Sequence, residues 1–338
     1  MEKRSLLQEK VRHINIRSFD SRPIIESYGK MAFQARNLHN AATIFNEMLK
    51  DDTCSIILTL AGSLFSAGLK DIVIDMIKCK MADIIVSTGA IMVDQDFFEG
   101  LGFHHYAGDP KADDQQLREL HIDRIYDTYI DEDELRECDL TVAKIADSLP
   151  KRAFSSREFI EEMGAYLEKH HPKANSVILE AYRSKVPIFV PAFSDSSAGF
   201  GLIFHQQQNP DSHVAIDSVQ DFRELAKIKI ASKQTGLFMV GGGVPKNFSQ
   251  DIVVATDVLG SEKPMHKYAI QISVADERDG GLSGSTLKEA SSWGKVDMGF
   301  EQMVWGEATI ILPLVISDAY HKGHWKNRSR KKYQDLFL

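Results

Sequence analysis

One lysine in the chain has neighbours that would let it act as a nucleophile. Lys295 ends the stretch DGGLSGSTLKEASSWGK, which spans residues 279–295. A lysine attacks carbon only as the neutral amine, and burial against apolar surface or near another cation lowers its pKa from about 10.4 toward neutrality. Trp293 offers a flat apolar wall, and Gly294 lets the backbone come close to a ligand. These residue types predict a reactive-amine site.

Two carboxylates in the same stretch indicate the charge of the ligand. Asp279 and Glu289 would raise the pKa of a neighbouring amine, and so would work against a free nucleophile. They are better explained as partners for a cationic ligand such as a polyamine. Taken alone, the Ser-Trp-Gly-Lys sequence also fits an ordinary turn with an exposed lysine, and the segment by itself leaves this alternative open.

A run of three glycines, Gly241, Gly242 and Gly243, follows the apolar sequence LFMV. Glycines let a backbone approach a pyrophosphate, and the NH groups at the start of a following helix can bind the anion. Counted from Gly241, the sixth position of a GxGxxG fingerprint is Lys246, where the fingerprint requires glycine. The run therefore predicts a nucleotide-binding loop, and a merely tight turn fits it equally well.

The composition is that of a globular protein with an ordinary core. Its 338 residues are 43% hydrophobic, and the formal net charge is −8. The acidic excess argues against nucleic-acid binding, and no apolar run approaches the roughly 20 residues that span a membrane. Three cysteines without CxxC spacing, Cys54, Cys79 and Cys138, argue against a disulfide framework and a cysteine zinc site. We expect a cytoplasmic protein without a targeting segment, a membrane anchor or a metal.

Apolar runs followed at once by small and polar residues recur along the chain. The clearest are CSIILTL at 54–60, DIIVSTGA at 83–90, VPIFVPAFSDSSAG at 186–199 and TGLFMVGGG at 235–243. Strands covered on both faces have such runs, so they predict an α/β fold with a mainly parallel sheet and helices on both faces. Ligands bind such sheets beyond the carboxyl ends of the strands. We predict an N-terminal helical segment over residues 1–50 and a single α/β domain over residues 51–338.

Three further stretches carry local expectations. Apolar residues at three- and four-residue spacing predict one amphipathic helix over residues 21–50. Residues 108–133 mix charges and aromatics, and predict an irregular insertion. The basic stretch NRSRKKYQ, residues 327–334, predicts a solvated or frayed tail.

Several motifs together resemble one enzyme family, deoxyhypusine synthase. GGGVPK, ADERDGGLSGSTLKEASSWGK and WGEATIILPL resemble its C-terminal half in order and spacing, and CSIILTLAGSLFSAGLKD, IIVSTGA and VPIFVPAFSDSSAG resemble its N-terminal half. The resemblance covers most of the chain from Arg36 onward and is looser over residues 108–174. It implies a Rossmann-like fold and homotetramers with active sites at subunit interfaces. It also implies NAD-dependent transfer of the aminobutyl part of spermidine to a lysine.

The resemblance assigns roles to individual residues. In the family, NAD takes a hydride from the carbon beside the secondary amine of the polyamine, the active-site lysine captures the resulting imine, and a second amine displaces that lysine. Lys295 matches that lysine, and Glu289 and Trp293 match residues that hold the polyamine. The other positions assigned to the substrate pocket are Asp195, Asp279, Asp94 and Asn247. The positions that match contacts to NAD are Ser63, Ser66, Thr88, Gly89, Gly241, Gly242, Gly243, Ser283, Glu307 and Ala308. Glu307 has the role of an acidic residue facing ribose hydroxyls, which favours NAD over its 2′-phosphate form.

Two departures from the family's pattern bear on the acceptor. Asn247 and Phe248 stand where the family has two histidines, so the histidine proposed as a base is absent, and asparagine cannot accept a proton. Proton removal would then fall to water or to the incoming amine. The motif Asp-Gly-Ser-Leu-Gly-Asp becomes Asp195-Ser-Ser-Ala-Gly-Phe200, so an aromatic ring replaces an acidic residue at one end of the pocket.

Three functions follow from the resemblance. The first is NAD-dependent aminobutyl (alkylamine) transfer to a small diamine, most simply putrescine, with homospermidine as the product. The second is deoxyhypusine synthase proper, which modifies one lysine of a translation factor. The third is a catalytically silent scaffold of the same fold. The retained lysine, carboxylates and glycines favour an active enzyme.

Overall fold

The computed structural model describes residues 2–337, and a parallel sheet forms its centre. The strands are β1 (Cys54–Leu60), β2 (Ile84–Ser87), β3 (Tyr106–Ala107), β4 (Ile122–Ile125), β5 (Thr128–Asp131), β6 (Ala153–Phe154), β7 (Ile188–Phe189), β8 (Ala215–Ile216), β9 (Gln234–Val240), β10 (Tyr268–Ser273) and β11 (Glu301–Trp305). The main sheet has six strands in the order β11-β10-β9-β1-β2-β7, and all neighbouring strands pair in parallel.

Helices connect the strands. They are α1 (Lys3–Leu6), α2 (Arg22–Tyr28), α3 (Phe33–Lys50), α4 (Lys70–Lys78), α5 (Phe98–Gly100), α6 (Asp114–Glu119), α7 (Glu132–Ser148), α8 (Ser156–His170), α9 (Val177–Ser184), α10 (Ser197–Gln208), α11 (Ser218–Ala231), α12 (Gly243–Val258), α13 (Leu287–Ser292) and α14 (Ala308–Lys322). A π-helix, Ala90–Phe97, precedes α5, and short 3₁₀ turns lie at Glu277–Asp279, Met298–Phe300, His324–Asn327 and Tyr333–Phe337.

Alternate residues of β1 pack into two separate hydrophobic layers. Ile56 and Leu58 join the layer that holds α3 and α14, while Ile57 joins the layer that holds α11 and α12. Both faces of the central strand are therefore covered, as the continuous apolar runs predict. The predicted α/β fold with a mainly parallel sheet is confirmed.

The first long helical pattern divides into two helices. One helix was expected over residues 21–50, but α2 ends at Tyr28 and α3 begins at Phe33. The chain folds back because Gly29 lies against His39: a Cβ at Gly29 would come 2.9 Å from the His39 ring, whose Nδ1 lies 2.9 Å from the Ile25 carbonyl oxygen. The structure corrects the single-helix expectation. The predicted domain boundary after residue 50 stays a prediction.

The stretch over residues 108–133 is an ordered layer and not an irregular insertion. It holds α6 and the strands β4 and β5, and β5 pairs antiparallel with both β4 and β3. Leu117, Ile122 and Tyr129 form a small hydrophobic cluster under this sheet. β4 buries only Ile122, and both β4 and β5 are four residues long, so neither carries an apolar run long enough to stand out from a loop.

The basic stretch after α14 is bound tightly to the body, which corrects the expectation of a solvated tail. Arg328 is buried at the edge of the main sheet where the strands begin, and its Nη2 donates to Asp83 Oδ2 at 2.8 Å. The same guanidinium donates to the carbonyl oxygens of Lys80 at 2.9 Å and Met48 at 3.0 Å. Tyr333 adds a hydrogen bond to Ser232 at 2.9 Å. Side-chain donors thus satisfy backbone acceptors that the start of the sheet leaves open.

Candidate active site

A cavity of about 710 Å³ lies where the main-sheet strands end. Its wall includes the residues that follow β1, β9, β10 and β11, because parallel strands bring their carboxyl ends to one edge. Five of the positions expected to contact a cofactor line it: Ser63, Ser66, Gly241, Glu307 and Ala308. We call this space the strand-end cavity.

Close backbone packing explains two of the three glycines. Gly241 has φ +74°, and a Cβ there would come 2.6 Å from the Ala61 carbonyl oxygen. A Cβ at Gly242 would come 2.3 Å from the Cα of Ser283. A side chain at either position would collide with backbone, so both glycines are required for the close packing of this loop, and Gly241 also lines the cavity.

Glu307 and the start of α14 form the opposite side of the strand-end cavity. Glu307 is the N-cap of α14, and its Oε2 accepts a hydrogen bond from the Thr309 backbone NH at 2.8 Å. The following residues, Ala308 and Thr309, also line the cavity. The NH groups of a helix N-terminus attract anions, and here the Glu307 carboxylate caps them and also lines the cavity.

The two serines of this cavity shape the loop after β1. Ser66 is buried, and its hydroxyl donates to the Ser63 carbonyl oxygen at 2.9 Å. The Ser66 backbone NH donates to Gln95 Oε1 at 3.1 Å. These hydrogen bonds fix the conformation of the loop after β1. The Ser66 side chain therefore positions the backbone that a ligand would contact.

The remaining positions expected at the cofactor lie outside the wall of this cavity. Thr88 and Gly89 follow β2 at the same edge, and a Cβ at Gly89 would come 2.6 Å from Ser196 Oγ. Gly243 begins α12 with φ +60°. The Ser283 carbonyl oxygen accepts a bond from Ser273 Oγ at 3.1 Å. All of these residues lie near the edge of the main sheet where the strands end, but only five of the expected cofactor positions line the strand-end cavity.

Lys295 lies in a second cavity of about 570 Å³, which we call the lysine cavity. Trp293, Glu289 and Asn247 line it with Lys295, so four of the positions expected at the substrate come together. Side chains from one face of α12 and from α13 form the walls. The Lys295 side chain is 12% exposed, whereas the Trp293 residue is 71% exposed.

An aspartate that the sequence analysis missed contacts the lysine directly. Asp251 Oδ1 lies 2.5 Å from Lys295 Nζ, and Asp251 Oδ2 accepts a hydrogen bond from Asn247 Nδ2 at 2.8 Å. Lys295 Nζ also lies 5.2 Å from the centre of the Trp293 ring, within cation–π range. The missed signal is spacing, because Asp251 follows Asn247 by four residues and so shares its helix face.

A second lysine, Lys246, is hydrogen-bonded to the segment that carries Lys295. It is 1% exposed, and its Nζ donates to the Leu282 carbonyl oxygen at 3.1 Å and to Ser285 Oγ at 2.9 Å. Burial lowers the pKa of Lys246 to about 8, and the nearby Lys295 lowers it further while Glu289 opposes the shift. Lys246 thus places positive potential beneath the lysine cavity.

The two carboxylates of the 279–295 stretch have local roles. Glu289 forms a capping box with Thr286 at the start of α13: the Glu289 NH donates to Thr286 Oγ1 at 3.2 Å, and the Glu289 carboxylate accepts from the Thr286 NH. Asp279 accepts from the Gly281 NH at 2.7 Å. Glu289 still faces the lysine cavity, whereas Asp279 is exposed and does not line it.

Asp94 and Asp195 form a third group, apart from the lysine cavity. Asp94 Oδ1 accepts from the Ser197 NH at 2.7 Å. Burial raises the pKa of Asp94 to about 7, and the charges of Asp139 and Asp195 add to the shift. Phe200, three residues further along α10, is 65% exposed. The structure therefore does not bring these acids to Lys295 within one chain.

Residues 282–285 separate the strand-end cavity from the lysine cavity. Leu282 and Ser285 line the lysine cavity, while Ser283 is bonded to Ser273, which lines the strand-end cavity. Lys246 holds this segment from below. The wall between the two spaces is thus one short stretch of chain.

Residues 2–337 contain neither a candidate membrane span nor a candidate metal site. No helix among them is long and apolar enough to cross a membrane. Within the same residues, no cluster of three or more His, Cys, Asp or Glu side chains is arranged to hold a metal ion.

Comparisons with known proteins agree with one another. The family model of deoxyhypusine synthase matches residues 23–319. The chain is 62% identical over 337 residues to the deoxyhypusine synthase-like protein of Chlorobaculum parvum, covering 99% of this chain and 96% of the relative. It is 37% identical over 325 residues to the "Probable deoxyhypusine synthase 2" of Methanosarcina mazei, covering 96% and 92%.

A solved structure supports the fold alone. A protein of Entamoeba histolytica described as a "putative deoxyhypusine synthase" superposes with a TM-score of 0.58 at 19% identity, covering 96% of this chain and 99% of the other. Together, the family match over most of the chain and the identity to full-length relatives decide the assignment. This chain belongs to the deoxyhypusine synthase family.

Proposed function

We propose that the protein is an NAD-dependent transferase that moves an aminobutyl group from a polyamine to a small diamine through an imine on Lys295. The observation that carries the proposal is the lysine cavity itself. It surrounds one amine with an aromatic wall and with the carboxylates of Asp251 and Glu289. Family membership supports aminobutyl transfer as the reaction class.

The lysine cavity suits a flexible dication. Trp293 offers a ring face for methylene groups and ammonium ions, and Glu289 offers an acceptor at the cavity rim. Val254 and Ala255 add apolar wall along α12. A polyamine alternates charges with apolar carbons, so its chain fits a space with the same alternation.

The strand-end cavity fits NAD. Gly241 keeps backbone free of a side chain on one side, and Glu307 and Ala308 at the start of α14 line the other. Glu307 would accept hydrogen bonds from ribose hydroxyls and would repel a 2′-phosphate. When bound, NAD would accept and return the hydride. The chain's own residues hold it, exclude water and position the polyamine beside it.

The acceptor is a small diamine, most simply putrescine. Asn247 and Phe200 stand where charge-managing residues of a protein-modifying enzyme are expected, and Phe200 lines a cleft with Phe204 whose wall also holds Asp123, Glu132 and Asp139. Aromatic rings beside carboxylates can hold both the carbon chain and an ammonium end of a diamine. The product would then be homospermidine. Modification of a translation-factor lysine is the competing outcome of the test below.

The active unit is a homotetramer in which neighbouring chains complete each site. Two observations support this part of the proposal. Residues 282–285 separate the two cavities within one chain, and Asp94 and Asp195 lie apart from Lys295. The lysine cavity also carries exposed apolar groups at its rim, Trp293 and Val258. A second chain that covers this rim would exclude water from the imine.

One labelled reaction tests the function. The purified protein is mixed with NAD, labelled spermidine, putrescine and a translation factor that carries an acceptor lysine, and the products are identified by mass. We expect label mainly in homospermidine. Label mainly in the protein would favour deoxyhypusine synthase. No transfer to either acceptor, with no release of diaminopropane, would contradict the transferase proposal.

A further inference from the structure

We infer that Asp251 is a catalytic residue that exchanges a proton with Lys295, and that Asn247 positions it. The inference rests on the proposed function, since it concerns the same amine. The geometry is direct: Asp251 Oδ1 lies 2.5 Å from Lys295 Nζ, within hydrogen-bond reach for proton transfer. The Asp251 side chain is 30% exposed and faces the lysine cavity, so it also reaches a bound ligand.

Asn247 has one function that its chemistry allows here. An asparagine side chain donates through nitrogen and cannot take up a proton. Its Nδ2 donates to Asp251 Oδ2 at 2.8 Å, one helical turn away on α12. The bond fixes the carboxylate with Oδ1 toward the lysine. Asn247 is therefore a positioning residue for the neighbouring acid.

The other charged groups of the cavity are already committed. The Glu289 carboxylate accepts from the Thr286 NH in the capping box of α13. The Lys246 ammonium donates to Ser285 and Leu282, and it carries no lone pair that could accept a proton while charged. Asp251 is left as the carboxylate in contact with the reactive amine.

The proton balance of the exchange needs only this acid. Lys295 gives one proton to Asp251 and attacks the imine carbon of the oxidised polyamine as the neutral amine, forming a carbon–nitrogen bond. Asp251 then returns the proton to the departing nitrogen and takes a second proton from the Lys295 nitrogen, whose freed electron pair breaks the old carbon–nitrogen bond. The departing amine takes up this second proton from Asp251 and leaves as an ammonium ion. The leaving diamine is released and the imine stays on Lys295. No oxidant or reductant takes part in this step, because the hydride has already been removed by the nicotinamide cofactor.

The same acid serves the second exchange in reverse. The incoming amine attacks the imine carbon on Lys295, Asp251 moves a proton from the new nitrogen to Lys295 nitrogen, and Lys295 leaves as a free amine. The group then bonded to the acceptor is an imine that the returned hydride reduces. One carboxylate thus acts as base and as acid in turn.

Asp251→Asn tests the inference because it keeps the shape and removes the proton-accepting group. We expect imine formation on Lys295, trapped with borohydride and followed by mass, to slow by about 100-fold or more. Appearance of NADH absorbance when spermidine is added should persist, since hydride removal precedes the exchange. Asp257→Asn is the matched control, because Asp257 is exposed near the end of the same helix.

Chemical rescue separates proton transfer from a structural effect. Asp251→Ala opens space in a cavity of about 570 Å³, where formate can enter and supply a carboxylate. We expect formate to restore imine formation in Asp251→Ala and to have no effect on Asp257→Asn. Asn247→Ala should lower the rate less, by roughly tenfold, because the acid remains but is less well fixed.

The outcomes distinguish the two proposals. If the wild-type protein forms no adduct on Lys295 and no NADH, the proposed function fails and this inference fails with it. If the wild type forms the adduct and Asp251→Asn forms it at the same rate or faster, Asp251 is only a resting partner of the lysine, and the inference alone is overturned. A slow Asp251→Ala that formate does not rescue also overturns the inference.

Discussion

Charged side chains in the lysine cavity and in the C-terminal basic stretch differ in how many hydrogen bonds they make within the protein. In the lysine cavity, Lys295 has Asp251 as its carboxylate partner and stays partly open to solvent. At the edge where the sheet begins, Arg328 is buried and shares its donors among Asp83 and several backbone carbonyls. The lysine cavity thus leaves hydrogen-bonding groups available to a ligand, whereas the hydrogen bonds of Arg328 are all made within the fold.

This difference predicts how substitutions divide between activity and stability. A group with few internal bonds can be changed at small cost to the fold, but its chemistry is lost. A buried group with many bonds leaves unpaired charge and unsatisfied acceptors when it is removed. Residues of the cavities should therefore affect turnover, and residues of the tail should affect unfolding.

Replacement of the reactive lysine should give the largest effect. Lys295→Arg keeps the positive charge but removes the nucleophile, so we expect turnover to fall by at least about 10³-fold. The melting temperature should stay near that of the wild type. Lys288→Arg, an exposed lysine in the same segment, is the control. Full transfer activity in Lys295→Arg would remove the covalent step from the mechanism.

Replacement of the buried arginine should give the largest loss of stability. Arg328→Met leaves Asp83 buried without its cation, and we expect the free energy of unfolding to fall by about 3–5 kcal/mol. Denaturant unfolding measures it, with the exposed Lys332→Met as control. Turnover per folded molecule should not change.

A double variant sharpens this result. Arg328→Met leaves the Asp83 carboxylate unpaired, and Asp83→Asn removes that charge. The double variant should therefore lower the free energy of unfolding by less than the sum of the two single changes. Strict additivity would mean that the tail stabilises the sheet through its other contacts.

Replacement of the central glycine should affect the strand-end cavity. In Gly242→Val the new Cβ would come 2.3 Å from the Ser283 Cα, so the wall between the cavities must shift. We expect NAD affinity by calorimetry to fall by about 10- to 100-fold. Val244→Thr, an exposed neighbour, should bind NAD as the wild type does. Unchanged affinity in Gly242→Val would place the cofactor elsewhere.

A pH-dependent stability difference should be smaller than the loss caused by removal of the buried arginine. Burial raises the pKa of Asp94 to about 7 in the folded protein, so between its ordinary range and pH 7 the folded chain binds an extra proton. The group's contribution to stability is therefore lost as pH rises to about 7, at up to about 1.4 kcal/mol per pH unit. Asp94→Asn should remove this slope, and its stability relative to wild type should rise between pH 5 and pH 8.

Thermal unfolding at several pH values measures the Asp94 contribution. The exposed Asp211→Asn is the control, and its difference from the wild type should not depend on pH. Parallel pH curves for wild type and Asp94→Asn would mean that this carboxyl ionises as it does in water.

The sequence predicted elements well where the pattern was strong and continuous. The expected run at 54–60 is β1, and the apolar part of the run at 235–243 lies in β9. Both have uniform burial or regular spacing along their whole length. The short antiparallel strands around residues 122–131 were missed because a strand of four residues is too short to show a regular apolar pattern, and β4 buries only one of its residues.

The candidate site was predictable where its members are close in sequence or where the family resemblance identified them. Lys295, Trp293 and Glu289 come from one stretch and share the lysine cavity. Asp251 was missed because it belongs to another helix, and only the packing of α12 against the 279–295 stretch brings its carboxylate to the amine. The prediction of a solvated tail at residues 327–334 was wrong for a similar reason. Basic side chains such as Arg328 can be buried where backbone carbonyl oxygens need hydrogen-bond donors.

The position of Arg328 also sets an order for folding. Arg328 is translated after every strand of the main sheet, yet it neutralises Asp83, which precedes β2. Until Arg328 has been synthesised, Asp83 lacks the cation that neutralises it in the folded protein. Their contact joins residues 245 positions apart in the chain, so the start of the sheet is completed by a late, long-range event in folding.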